Sequence, residues 1–222
     1  MSDDYFDSIF SSPGKVREWW SPPVTYPQGT ILYQQDARST SVYFIERGLV
    51  KLTRIDEAGN EIIAGIRRRY WLIGAPAVLL KQPYSFNVTT LTECRLRVIS
   101  AAGFLQIVRN DQKFYMELNR ILSQEIYEQS KMLIFLGCMP ARERLMQLMG
   151  DFINEMERPP DTVNQVRLKI PLKHKELAQM IAITPEHLSR LLSRMESEGF
   201  ISREKNSIIV KKSTSFFNKA PI

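Results

Sequence analysis

Cysteine is scarce in this chain: Cys94 and Cys138 are the only two in 222 residues. Two thiols cannot supply a four-thiolate iron–sulfur cluster from this chain alone, nor a disulfide framework, so an iron–sulfur cofactor is disfavoured. Two buried, inert thiols are expected, and nothing around Cys94 suggests the thiolate-stabilising setting that a redox pair needs. No stretch approaches the roughly 20 apolar residues that span a bilayer. The opening MSDDYFDSIFSSPGK is acidic and lacks the basic and hydrophobic regions of a signal peptide. A cytoplasmic protein with no membrane association is therefore expected. Also absent are G-x-S-x-G, a glycine-rich phosphate loop and H-E-x-x-H, so an enzyme is not expected.

What is present is an ordinary globular composition, 44% hydrophobic and 24% charged, on a chain long enough for two modest domains. The net charge of +6 is unevenly placed: between Arg167 and Lys212 ten basic residues face five acidic ones. A basic end of this kind is the footprint of nucleic-acid binding.

From about residue 24 to 100 the pattern is of short strands and turns. TILYQQ, SVYFIERGLVKLTRI broken at Gly48, EAGNEIIAGI with a Gly59-Asn60 turn, and YSFNVTTLTECRLRVIS are rich in β-branched and aromatic residues. Between them WLIGAPAVLLKQP, punctuated by Gly74, Pro76 and Pro83, reads as a non-strand segment. From Ala101 to Leu136 the spacing predicts one long helix, with Leu118, Leu122, Ile126, Gln129, Leu133 and Leu136 recurring near a 3.6 period. So long a stripe suggests packing on a second copy, hence a homodimer. Gly137 is placed as its C-terminal cap, Pro140 as the opening of a further helix, and ERPPDTVNQ as an exposed loop.

PLKHKELAQMIAITPEHLSRLLSRMESEGFI carries the clearest pattern. A helix from about His174 to Ile181, a short turn, and a second helix capped by Thr184 and opened by Pro185 are predicted. Leu188, Leu191, Leu192 and Met195 would pack on Leu177, Ala178 and Ile181, leaving Glu186, Ser189, Arg190 and Ser193 outward. That is helix-turn-helix spacing, and FISREKNSIIVKK after it reads as the two strands of a wing.

With these residues in view, the chain from about Tyr26 to Lys212 resembles the Crp/Fnr family of bacterial transcription regulators. VYFIERGLVKL, WLIGAPAVL, the long helix and LKHKELAQMIAITPEHLSRLLSRMESEGFI carry the resemblance. It implies an α+β architecture: an N-terminal cyclic-nucleotide-binding-type β-roll (1–108), a long dimerisation helix (109–137) and a C-terminal winged helix-turn-helix (138–222). It also implies double-stranded DNA and RNA polymerase as partners, and a two-fold symmetric promoter site. The family's base-reading residues fall on Glu186 and Arg190, with Ser189 completing the Glu-x-x-Ser-Arg pattern of the Fnr branch, which implies half-sites resembling TTGA. Arg can give two hydrogen bonds to guanine and Glu can accept from cytosine, each pair worth roughly 1–3 kcal/mol. Pro185 replaces an Arg of the cyclic-AMP receptor branch, and Ala182 replaces a common turn glycine. Lys173, Thr184 and Arg194 complete the expected DNA-contacting set, and His187 is expected at the surface or against a phosphate.

The resemblance also places an effector pocket, at Gly74, Ala75, Tyr84, Ser85, Ile126 and Tyr127. Cyclic-nucleotide-binding members offer a Glu and an Arg-Ser pair, where this chain has Ala75 and Tyr84-Ser85. An anionic phosphate without its Arg lacks the partner that offsets its desolvation, so cyclic AMP is disfavoured and the effector is unknown. Both histidines lie in the helix-turn-helix region, leaving none in the sensor region to ligate haem. The alternative reading, a ligand-binding regulatory module acting through protein contacts, stays open here.

Overall fold

The computed structural model describes Phe6, Phe10 and residues 18–154, 165–205 and 207–211. The loop expected in ERPPDTVN, the acidic residues of the opening segment and Lys212 lie outside the described residues. The chain divides into two compact units, Met1–Gln129 and Ser130–Ile222.

The first unit holds the expected β-roll. Strands β1 (Val24–Tyr26), β2 (Ile31–Tyr33), β3 (Ser41–Arg47), β4 (Val50–Ile55), β5 (Glu61–Arg67), β6 (Leu72–Ile73), β7 (Asn87–Thr90) and β8 (Cys94–Ser100) form two antiparallel sheets, ordered β1-β8-β3-β6 and β2-β7-β4-β5. Alternation along β3 sorts its side chains between two cores. Val42 and Phe44 join Phe6, Trp20, Ile99, Phe104, Phe114 and Leu118, whereas Ile45, with Tyr43 beside it, joins Val50, Leu52, Val88, Cys94 and Leu96. Each large side chain so buried contributes about 1.5–3 kcal/mol, so the central sheet is held on both faces. Gly48, at φ +94, must be glycine: an added Cβ would lie 2.4 Å from the Glu93 carbonyl oxygen and 2.7 Å from Cys94 Sγ.

Four expectations are corrected. The segment WLIGAPAVLLKQP is not free of strand: it contains β6 and then a short helix, α1 (Ala75–Leu80), with Pro in its first turn. The single helix expected from Ala101 is two, α2 (Ala101–Asn110) and α3 (Gln112–Cys138). Asp111 leaves helical geometry at φ −121 and ψ 102, and its carboxylate accepts the Phe114 N–H at 2.8 Å, capping α3. Gly137 does not end α3, which runs on to Cys138 before Pro140 and α4 (Ala141–Asn154). Leu122 also leaves the outward stripe: it packs, partly buried, against the core of its own unit.

In the second unit β9 (Gln165–Leu168), β10 (Ile201–Glu204) and β11 (Ser207–Lys211) form a three-stranded sheet in the order β10-β11-β9. It accompanies helices α5 (His174–Met180) and α6 (Pro185–Ser197). β10 and β11 are the wing.

Candidate nucleic-acid interface and sensor pocket

Local chemistry fixes the start of α6. Thr184 has extended backbone geometry and its hydroxyl oxygen accepts the His187 N–H at 3.2 Å, while Pro185 occupies the first turn. Leu188, Leu191, Leu192 and Met195 are buried, as are Leu177, Ala178 and Ile181 on the facing helix. The opposite face presents Glu186, His187, Ser189, Arg190, Ser193 and Arg194 to solvent. These two faces are the ones the spacing predicts. Glu186 is held below the usual carboxylate value, first by its own backbone N–H, then by the Thr184 hydroxyl, with Arg190 and His174 adding to the effect. It is thus an ionised acceptor near a guanidinium on one exposed face, chemistry capable of hydrogen-bonding a G·C edge.

Neighbouring elements grip this helix on both sides. From α5, His174 Nε2 lies 3.4 Å from Ser189 Oγ. From the wing, Arg203 donates its backbone N–H and its Nε to the Glu196 carboxylate, each at 2.8 Å, and its Nη2 to Ser193 Oγ at 3.2 Å. In the same sheet, Arg167 of β9 pairs with Glu204 of β10 at 2.5 Å. Lys173 is exposed at the N-cap of α5, where its backbone N–H donates to Glu176 at 2.7 Å. His174 and Arg203 do not belong to the DNA-contacting set expected from the sequence. Their partners lie on other elements, so no local spacing announces them.

The six residues expected at the sensor pocket fare differently. Gly74 (φ +85), Ala75 and Tyr84 come together: Ala75 and Tyr84 are buried, and a Cβ on Gly74 would lie 3.1 Å from the Tyr84 ring. Tyr84 donates its hydroxyl to the Ser41 carbonyl at 2.7 Å and accepts from the Ser41 N–H at 3.0 Å. Ser85 is exposed, and its carbonyl accepts from Arg54 at 2.7 Å. Ile126 and Tyr127 are exposed on α3.

Residues the sequence reading passed over surround Tyr84. The Tyr33 ring stacks on it with centroids 3.7 Å apart, and Tyr43 lies 5.8 Å from Tyr33. Burial pushes the Tyr33 hydroxyl well above its ordinary value, with Tyr84 the next cause. Arg67 of β5 pairs with Glu125 of α3 at 2.8 Å, both side chains largely buried, and lies over the Trp71 ring. Next to the stacked phenols, the Arg67 guanidinium is thus already neutralised by a carboxylate. A cavity of about 350 Å³ does occur in this unit, lined by Phe10, Phe44, Glu46, Arg47, Arg69, Tyr70, Arg95 and Arg97. None of the six expected pocket residues lines it. Cys94 is buried, its thiol pushed up by desolvation and donating to the Leu49 carbonyl at 3.1 Å, which suits an inert thiol. The expectation of a second buried thiol is corrected: Cys138, the last residue of α3, is exposed.

A β-roll that leads through a long helix to a winged helix-turn-helix is the architecture of a DNA-binding regulator with an N-terminal ligand-binding-type domain. Comparison with known proteins agrees in both halves: residues 23–111 match the cyclic nucleotide-binding domain and residues 143–214 the Crp-like helix-turn-helix domain. The chain is 23% identical to the cAMP-activated global transcriptional regulator CRP of Salmonella typhimurium over 83% of this chain and 87% of that one. It is 25% identical to the global nitrogen regulator of Nostoc sp. over 86% of each. Among solved structures, a CRP-family transcriptional regulator from Thermus thermophilus superposes with a TM-score of 0.74 at 15% identity, covering 88% of this chain and 95% of that one. FixK2 from Bradyrhizobium japonicum gives 0.72 at 16% identity, covering 90% and 98%. The chain belongs to the Crp/Fnr family of DNA-binding transcription regulators. Among the described residues no helix is long and apolar enough to cross a membrane.

Proposed function

We propose that this protein acts as a homodimer on a palindromic promoter site, that it reads each half-site with Glu186, Ser189 and Arg190, and that it does so without responding to cyclic AMP. The observation that carries the DNA reading is α6 itself: a capped helix with one face buried and the other an exposed row of Glu, Ser and Arg. Lys173, Thr184, Pro185 and Arg194 flank that row. Lys173 and Arg194 supply phosphate contacts, which orient the protein without specifying sequence. Support for the dimer comes from α3, where Ile126 and Leu133 are 68% and 75% exposed and stand one heptad apart. RNA polymerase is the partner through which such a protein would act on transcription.

The reading of indifference to cyclic AMP is supported by the stack of Tyr33 on Tyr84 and by the Arg67–Glu125 pair, which leaves that arginine already engaged by a carboxylate. Selection from a randomised duplex library tests the DNA reading. The expected outcome is enrichment of two inverted half-sites resembling TTGA, centred about one helical turn apart. Enrichment of a single asymmetric site would count against the dimer, and no enrichment would favour a module that acts through protein contacts.

A further inference from the structure

We propose that His174 is a positioning residue for base reading, whose Nε2 determines whether the Ser189 hydroxyl faces DNA as a hydrogen-bond donor or as an acceptor. This rests on the reading of α6 as the recognition helix. His174 opens α5, outside the recognition helix, yet its Nε2 lies 3.4 Å from Ser189 Oγ, and both side chains are exposed on the same side of the unit.

A serine hydroxyl has one hydrogen and two lone pairs, so a partner that engages it on one side fixes what it offers on the other. If the ring nitrogen carries hydrogen and donates to Oγ, the serine hydrogen is free for a base acceptor, thymine O4 or a purine N7. If that nitrogen is bare, the serine hydrogen turns towards it, and only lone pairs remain for adenine N6–H or cytosine N4–H. The exposed face of α6 carries the Glu186 carboxylate one turn before Ser189, and a negative charge on that face favours the tautomer that turns a ring N–H, rather than a lone pair, towards α6. His174 therefore donates, and Ser189 addresses a base acceptor. A residue that itself need not touch a base thus sets the polarity of one that does.

The test compares base preferences, at every half-site position, of the full-length wild type, His174→Gln, His174→Glu and His174→Ala, each also in a Ser189→Ala background. Glutamine can still donate, so His174→Gln should keep the wild-type preference. Glutamate can only accept, so His174→Glu should move the preference at one position towards a base presenting N–H, by about tenfold relative to wild type, beyond any uniform loss of affinity. The shift should vanish when Ser189 is alanine, which a merely structural role would not require. Variants that change affinity for all sequences alike, or a shift that survives Ser189→Ala, would overturn the inference while leaving the DNA reading intact. A wild type without sequence preference would overturn the DNA reading and this inference with it.

Discussion

Ala182 sits at φ +52, where a residue with a Cβ is strained by about 1–2 kcal/mol. It does so because α5 ends in a paired cap: the Ala182 N–H donates to the Gln179 carbonyl at 3.0 Å and the Ile183 N–H to the Ala178 carbonyl at 3.1 Å, which forces the left-handed turn between α5 and α6. Since Ala182 is exposed, glycine there would relieve strain and lose no packing. After the entropy cost of the freer unfolded chain, Ala182→Gly should stabilise the protein by about 0.5–1 kcal/mol, seen as a higher denaturation midpoint at unchanged slope. A lower midpoint would mean that the turn is not strained.

Arg190 and Arg194 differ in kind at the same scale. Arg190→Ala should cost about 1–3 kcal/mol at one G·C pair and little on DNA already lacking that pair, whereas Arg194→Ala should weaken all duplexes alike. Affinities measured on the consensus and on a single substitution separate the two, and equal losses on every duplex for Arg190→Ala would return it to a solvated helix face. These residues were legible in the sequence because a cap and a helix face are patterns of neighbours, three and four residues apart. The Arg67–Glu125 pair was not legible, because its members are 58 residues apart and meet only once β5 and α3 are in place.

At the scale of elements, apolar periodicity found most of the strands and helices, missed β6 and α1, and misplaced two boundaries. The stripe that starts at Leu118 hid the break before it, since Asp111 reads as one polar residue in a run until its carboxylate is seen capping Phe114. Gly137 signalled an end by composition alone, yet a glycine can continue a helix at a cost of about 1 kcal/mol. The same helix changes role along its length. Phe114, Leu118 and Ile121 are buried in the core of the first unit, with Leu122 packed against them. Ile126, Tyr127, Leu133 and Ile134 are exposed. The proposed dimer seam therefore falls on the second half of α3, and Leu122 is the wrong place to test it. Replacing Ile126 and Leu133 together with Glu would set like charges against each other across the two-fold seam and should give a monomer by sedimentation. A double variant that still sediments as a dimer would put the interface elsewhere.

At the scale of the whole molecule the question is what sets the protein's occupancy of DNA. A ligand can shift a two-state equilibrium only by its differential affinity, about 1.4 kcal/mol for each tenfold change. Tyr84, proposed to stand where the family has its phosphate-binding arginine, is itself tied to Ser41 and stacked on Tyr33, and Arg67 nearby is already paired with Glu125. To enter, cyclic AMP would have to separate the Tyr33–Tyr84 stack and compete with Glu125 for Arg67, both unfavourable. Cyclic AMP at millimolar concentration should therefore produce no binding heat, no change in affinity for the palindrome and no rise in stability. The last readout is sensitive, because a ligand present at a hundred times its dissociation constant would add about 2.7 kcal/mol. A measurable rise with no change in DNA affinity would show a pocket that opens but is not coupled to α6. A tenfold gain in DNA affinity would overturn the filled-pocket reading, and the Tyr33–Tyr84 stack would then be a gate that the nucleotide displaces.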